Sequence, residues 1–127
     1  MASRILLVDD NALVRNSLYA LLETDGYEVL AADNGPDGLR ICRQSNRPIE
    51  LLVTDYNMPE MSGVELAREC CCFYCGLNVL YISGSQPDDE LQADLCVPRR
   101  SFLAKPFRGD DLLRKAKELL RINHSAG

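Results

Sequence analysis

Apolar positions recur along this chain in two alternating rhythms. Short aliphatic and β-branched runs, Arg4–Val8, Glu28–Ala32, Glu50–Thr54, Asn78–Ile82 and Ser101–Ala104, read as strands. The stretches between them have a helical period. Asn11–Thr24 carries Val14, Leu18, Leu21 and Leu22 on one face, and Gly26 stands where it can end the helix. Gly35–Gln44 sets Leu39 and Cys42 on one face, with Asn34 as its N-cap. Ser62 and Glu65 have capping-box spacing and open a third helix. Pro87–Leu95 is a short fourth helix that Pro98 keeps from extending. Gly109–Arg121 aligns Leu112, Leu113, Ala116, Leu119 and Leu120 on one stripe.

Regular alternation of strand and helix predicts an α/β fold, a doubly wound parallel sheet with helices on both faces. Right-handed crossovers leave few topologies. In such sheets ligands sit at the carboxyl ends of the strands. Those ends carry Asp9 and Asp10, then Asp55, Ser83 and Lys105. Three carboxylates, a hydroxyl and an ammonium are therefore expected on one rim.

Composition narrows the picture. The chain has 127 residues, which suits one domain, and a net charge of −5. An acidic balance argues against direct nucleic-acid binding and against a polybasic membrane helix. No apolar run approaches the ~20 residues of a membrane span. The opening Met1-Ala2-Ser3-Arg4 does not read as a secretion signal, so a cytoplasmic location is expected. Six cysteines, Cys42, Cys70, Cys71, Cys72, Cys75 and Cys96, fit reduced thiols better than a disulfide scaffold, which would spread them along the chain. Cys72 and Cys75 form a C-x-x-C, but no second pair completes a zinc site. Small buried hydrophobes on the third helix explain Cys70 and a neighbour, alongside Gly63, Leu66 and Ala67.

The rim cluster is the chemical signal. Two carboxylates ~5 Å apart repel by roughly 3 kcal/mol at an effective dielectric near 20. Three together call for a cation, and hard oxygen donors suit Mg²⁺ or Mn²⁺. With an ammonium and a hydroxyl beside them, they make a place to stabilise a phosphoryl group on a carboxylate. The residues alone leave open a phospho-acceptor aspartate and an aspartyl-phosphate hydrolase.

Leu7-Val8-Asp9-Asp10-Asn11, Val53-Thr54-Asp55-Tyr56-Asn57-Met58-Pro59, Ser62-Gly63, Ile82-Ser83-Gly84 and Lys105-Pro106-Phe107 resemble the receiver domain of bacterial two-component response regulators. The resemblance covers about residues 4–121, and Ile82-Ser83-Gly84 before an acidic stretch is similar to receivers of hybrid sensor kinases. It implies a flavodoxin-like, five-stranded parallel sheet of order 2-1-3-4-5 with five helices, a domain over 1–122, and a flexible tail over 123–127 that holds His124. It implies that Asp55 accepts a phosphoryl group from a sensor histidine kinase or a histidine phosphotransfer domain. Asp10, Asp55 and the backbone carbonyl of Asn57 would bind Mg²⁺, with Asp9 acting through water. Lys105 would pair with Asp55, after a cis peptide bond to Pro106. Ser83 would be the switch hydroxyl. Phe102 occupies the aromatic switch position, although an aromatic in a strand is as readily a core residue. Asn57 and Ser85 would tune loss of the phosphoryl group. The face of the fourth helix, fifth strand and fifth helix would then change for a downstream protein, with a weak homodimer as a further expectation.

Such a chain is a switch and not an enzyme, beyond its own phosphorylation and slow dephosphorylation. Two alternatives remain. A hydrolase of haloacid dehalogenase type uses Asp-x-Asp, where Asp55-Tyr56-Asn57 has an amide that cannot donate the proton. A degenerate receiver would bind partners without phosphate, but it would not need the intact acidic cluster. Ser85–Arg100 fits the pattern least, because Arg99 and Arg100 stand where a small residue usually precedes the last strand.

Overall fold

In the computed structural model, residues 2–74 and 76–125 are described. The strands are β1 (Arg4–Val8), β2 (Glu28–Ala32), β3 (Leu51–Asp55), β4 (Asn78–Ser83) and β5 (Arg100–Ala104). The helices are α1 (Ala12–Thr24), α2 (Gly35–Gln44), α3 (Gly63–Cys71), α4 (Asp89–Leu95) and α5 (Gly109–Ser125). All the strand pairs are parallel, in the order β2-β1-β3-β4-β5. The expected fold class and strand order are observed.

The side chains divide by sheet face, as strand alternation requires. Leu6, Val8, Leu52, Val79 and Tyr81 point to one core, which α2, α3 and α4 close with Leu39, Leu66 and Leu91. Ile5, Leu7, Val53, Leu80 and Ile82 point to the other, closed by Leu18 and Leu22 of α1 and by Leu112 and Ala116 of α5. The central strands are buried on both sides, which explains their unbroken apolar sequence.

Local chemistry sets the helix ends. The Asn34 side chain accepts from the Asp37 N–H at 2.7 Å, and Ser62 accepts from the Glu65 N–H at 3.2 Å. Gly26, at φ 97°, closes α1 in a conformation that costs a side chain but not glycine. Strand boundaries match the sequence expectation to within one residue, and two helix boundaries differ by more. α4 starts at Asp89 and not at Pro87, because the Asp88 side chain caps the Leu91 N–H at 3.0 Å. α5 continues to Ser125, so the backbone of 123–125 is helix where a tail was expected. The side chain of His124 lies outside the described residues, as do residues 126–127.

Gly63 brings α3 hard against the end of β3. A Cβ there would lie 2.7 Å from the Asp55 carbonyl oxygen and 3.1 Å from the Tyr56 Cα. Both neighbours are backbone and cannot swing away. Gly63→Ala should therefore destabilise the fold by about 1–3 kcal/mol, the usual cost of overpacking. Urea unfolding of both proteins measures it, and equal midpoints would show that the approach is not tight.

Candidate functional site

Parallel strands end together, and the sheet brings the expected rim residues into one pocket. Asp9 and Asp10 follow β1, while Asp55 and Ser83 are the last residues of β3 and β4. One carboxylate oxygen from each of Asp9, Asp10 and Asp55 lies within 4.8 Å of the others. Asp9 and Asp55 are buried, and Asp10 is exposed. Lys105, just past β5, places its Nζ 3.5 Å from Asp55 Oδ2 and 4.0 Å from Asp9 Oδ2. The peptide bond from Lys105 to Pro106 is cis, as expected.

Backbone N–H groups hold one oxygen of Asp9 and one of Asp55. Asp9 Oδ1 accepts the Asn11 N–H at 2.8 Å, and Arg15 donates to the Asp9 carbonyl at 2.8 Å. Asp9 Oδ2 has no hydrogen-bond partner among the described residues. Asp55 Oδ1 accepts the Asn57 N–H at 3.3 Å. Burial raises the pKa of Asp55 and of Asp9 above the ordinary carboxylate value, and Lys105 offsets only part of that. A buried, unpartnered oxygen among hard donors fits a small divalent cation, and Asp9, Asp10 and Asp55 could hold one.

Ser83 is buried beside this pocket. Its Oγ accepts the Ser85 N–H at 3.1 Å and the Asn57 side-chain amide at 3.3 Å. The two positions expected to tune the phosphoryl group are thus both tied to the expected switch hydroxyl, a link that sequence spacing alone did not reveal. Phe102 is half-buried against the core beneath α4 and is the register partner of Tyr81.

Sequence reasoning missed three other features. Tyr56, next after Asp55, donates its hydroxyl toward Asp88 at 2.7–2.8 Å and toward Glu90 at 3.1 Å. Asp94 on α4 is buried, and its Oδ2 accepts from Tyr81 Oη at 2.5 Å and from Arg100 Nε at 3.2 Å. The signal for Asp94 was its spacing from Leu91, which puts it on the core face of the helix. Third, a cleft of about 460 Å³ lies between α1 and the Lys105–Gly109 turn. Leu13, Val14, Leu18, Leu21 and Phe107 line it, and Leu13 is 81% exposed.

Among the cysteines, Cys42 and Cys70 are buried and meet between α2 and α3. The hydrogen bond donated by Cys70 lowers the pKa of Cys42 and raises its own. Cys71 is half-buried and Cys72 exposed, whereas Cys75 lies outside the described residues, so the C-x-x-C cannot be placed.

The profile of the response regulator receiver domain matches residues 5–117. The chain belongs to this family. It is 36% identical over 122 residues to the response regulator receiver protein CpdR of Brucella abortus, covering 92% of this chain and 96% of CpdR. It is 36% identical over 121 residues to the response regulator MprA of Mycobacterium ulcerans, covering 95% of this receiver but only 51% of MprA. The chain thus spans about half the length of that larger relative. A CheY-like receiver domain protein of Methanospirillum hungatei superposes with a TM-score of 0.90 at 29% identity, with each chain covered in full. The receiver is accordingly a phosphorelay signalling switch of two-component type, and the hydrolase alternative is not favoured. Among the described residues no helix is long and apolar enough to cross a membrane.

The carboxylate cluster has a thermodynamic signature. Asp9 and Asp55 bind protons more tightly folded than unfolded, so they favour the folded state at acid pH and this contribution is lost as pH rises. At pH 7 without divalent metal, Asp55→Asn should be more stable than the parent by about 1–2 kcal/mol, through relief of repulsion and desolvation. The gap should close as pH falls through the raised folded-state range of Asp55 toward the ordinary carboxylate value of 3.8, and be absent below it. Thermal melts across pH in a chelator measure this, and a pH-independent gap would contradict it.

Proposed function

We propose that Asp55 accepts a phosphoryl group from the phosphohistidine of a sensor kinase or a histidine phosphotransfer domain. The observation that carries this reading is the approach of Lys105 Nζ to 3.5 Å from the Asp55 carboxylate, inside a pocket that also holds Asp9 and Asp10. An Asp55 oxygen attacks phosphorus as the phosphorus–nitrogen bond breaks, and the electron pair leaves with the imidazole. Lys105 balances the charge gathering on the phosphoryl oxygens. Ser83 then turns its hydroxyl to donate to one of them. A bound Mg²⁺ or Mn²⁺ supplies further charge neutralisation, held by Asp10, Asp55 and the Asn57 carbonyl, with Asp9 acting through water. The change reaches a downstream protein, in the cytoplasm, through the side of the molecule that α4 covers.

The apolar cleft supports a route for the donor. It borders Lys105, so a helix carrying the phosphohistidine can seat on Leu13, Val14 and Phe107 and present its imidazole to Asp55. Recognition there is separable from chemistry. Asn57 and Ser85 tune the lifetime of the acyl phosphate through their bonds to Ser83.

Intact mass after incubation with a small acyl phosphate tests the core of the reading. The parent should gain one phosphoryl group only with Mg²⁺, and Asp55→Asn should gain none. Lys105→Ala should lower the uptake rate by at least about tenfold, the loss of one charge-stabilising group. Phosphate release should change in Asn57→Ala, and a rate matching the parent would remove Asn57 from the tuning role. Leu13→Asp should keep uptake from the small donor while losing transfer from any phosphohistidine protein that serves the parent. A parallel loss of both would show that the cleft is structural.

A further inference from the structure

The fourth helix is fastened at its two ends by different chemistry. At its start, Asp88 and Glu90 meet the Tyr56 hydroxyl, and both carboxylates are exposed to solvent. The connection before them, Gly84 to Gln86, is exposed as well, and Ser83 Oγ restrains it through the Ser85 N–H. Near the end of the helix, the Asp94 carboxylate is buried and takes both the Tyr81 hydroxyl and the Arg100 guanidinium on one oxygen. Arg100 spends its other donors on the Leu77 and Arg99 carbonyls and on the Cys71 sulfur at 3.3 Å. This latch joins α4 to β4, β5 and α3, and the Arg100 and Asp94 side chains are each only 8% exposed.

The latch also fills space. Tyr81 is fully buried on the same sheet face as Phe102, its register partner. Phe102 packs on the core that holds the Tyr81 ring, and that ring is fixed through its hydroxyl. Ser83, by contrast, has only its bonds from the Asn57 amide and the Ser85 N–H to rearrange on the way to a phosphoryl oxygen, and loss of the second frees the exposed connection.

We infer that the Tyr81–Asp94–Arg100 latch holds the last turn of α4 and the edge of β5 in place in both states, and confines the phosphorylation-linked change to residues 84–91. A partner then reads the β4–α4 connection and the first turn of α4 beside Tyr56. It does not read the far half of α4 or a rotated Phe102. This rests on Asp55 being the phosphoryl acceptor and narrows where the consequence appears.

Hydrogen–deuterium exchange on the full chain, with and without phosphorylation by a small acyl phosphate and Mg²⁺, tests it. Intact mass monitors uptake in the same samples. In the parent, exchange in peptides covering 84–91 should change at least about threefold, while 92–103 stays within about 1.5-fold, since local opening reports local stability. In Tyr81→Phe, which deletes one hydroxyl and keeps the ring, the phosphorylation-linked change should spread into 92–103. Asp94→Asn should do the same. A change through 92–103 in the parent, or no spread in Tyr81→Phe, overturns the latch while Asp55 stands as acceptor. Absence of phosphoryl uptake overturns the acceptor reading and the latch proposal with it.

Discussion

The repulsion among Asp9, Asp10 and Asp55, answered from across the rim by Lys105, is the interaction around which this molecule is arranged. At ~5 Å and an effective dielectric near 20, each carboxylate pair costs roughly 3 kcal/mol. A small domain has only ~5–15 kcal/mol of net stability. The cluster persists because the strands that carry it are buried on both faces and cannot drift apart. Lys105 reaches it from the end of β5, at the other side of the sheet from β1. The stability of the sheet is thus spent on holding charges where they are least comfortable.

That discomfort is the source of function. A site with a buried, unpartnered carboxylate oxygen gains more from an incoming cation than a relaxed site would. In the proposed reaction a phosphoryl group on Asp55 would bring new oxygens for Lys105 and Ser83 and so redistribute bonds already in place. Ser83 would be the pivot of that change, since its hydroxyl oxygen already accepts from Asn57 and Ser85. Removing one partner of a buried ion pair such as Asp94 and Arg100 typically costs ~3–5 kcal/mol, so a change arriving at Ser83 meets a firm stop farther along α4.

Much of this was legible in the sequence. Alternation of strand and helix gave the parallel sheet, and a parallel sheet delivers its strand ends to one rim, so Asp9, Asp10, Asp55, Ser83 and Lys105 could be gathered without coordinates. The Asn34 and Ser62 caps are local chemistry and were readable for that reason. The Tyr56 bond to α4 and the Asp94 latch were not, because they depend on how α4 is rotated against the sheet. Spacing from Leu91 puts Asp94 on the core face of α4, but the Tyr81 and Arg100 partners it meets there come from strands. The start of α4 differs because Pro87 and Asp88 both suit a helix start, and it is the Asp88 side chain that takes the Leu91 N–H. Cys70 and Cys42 read as core and are core, but their contact across α2 and α3 is a tertiary fact.

The sheet also works as a partition. One core faces α1 and α5, below the cleft that borders Lys105, and the other faces α2, α3 and α4, where the latch lies. Among the described residues no side chain belongs to both. Substitutions in the first layer can remodel the surface around the cleft, where a donor is proposed to seat, while the second layer goes on packing as before, and the reverse holds too. Inheritance can therefore exchange the upstream acquaintance of this domain and its downstream audience separately, with the acidic rim as the one part neither exchange may touch.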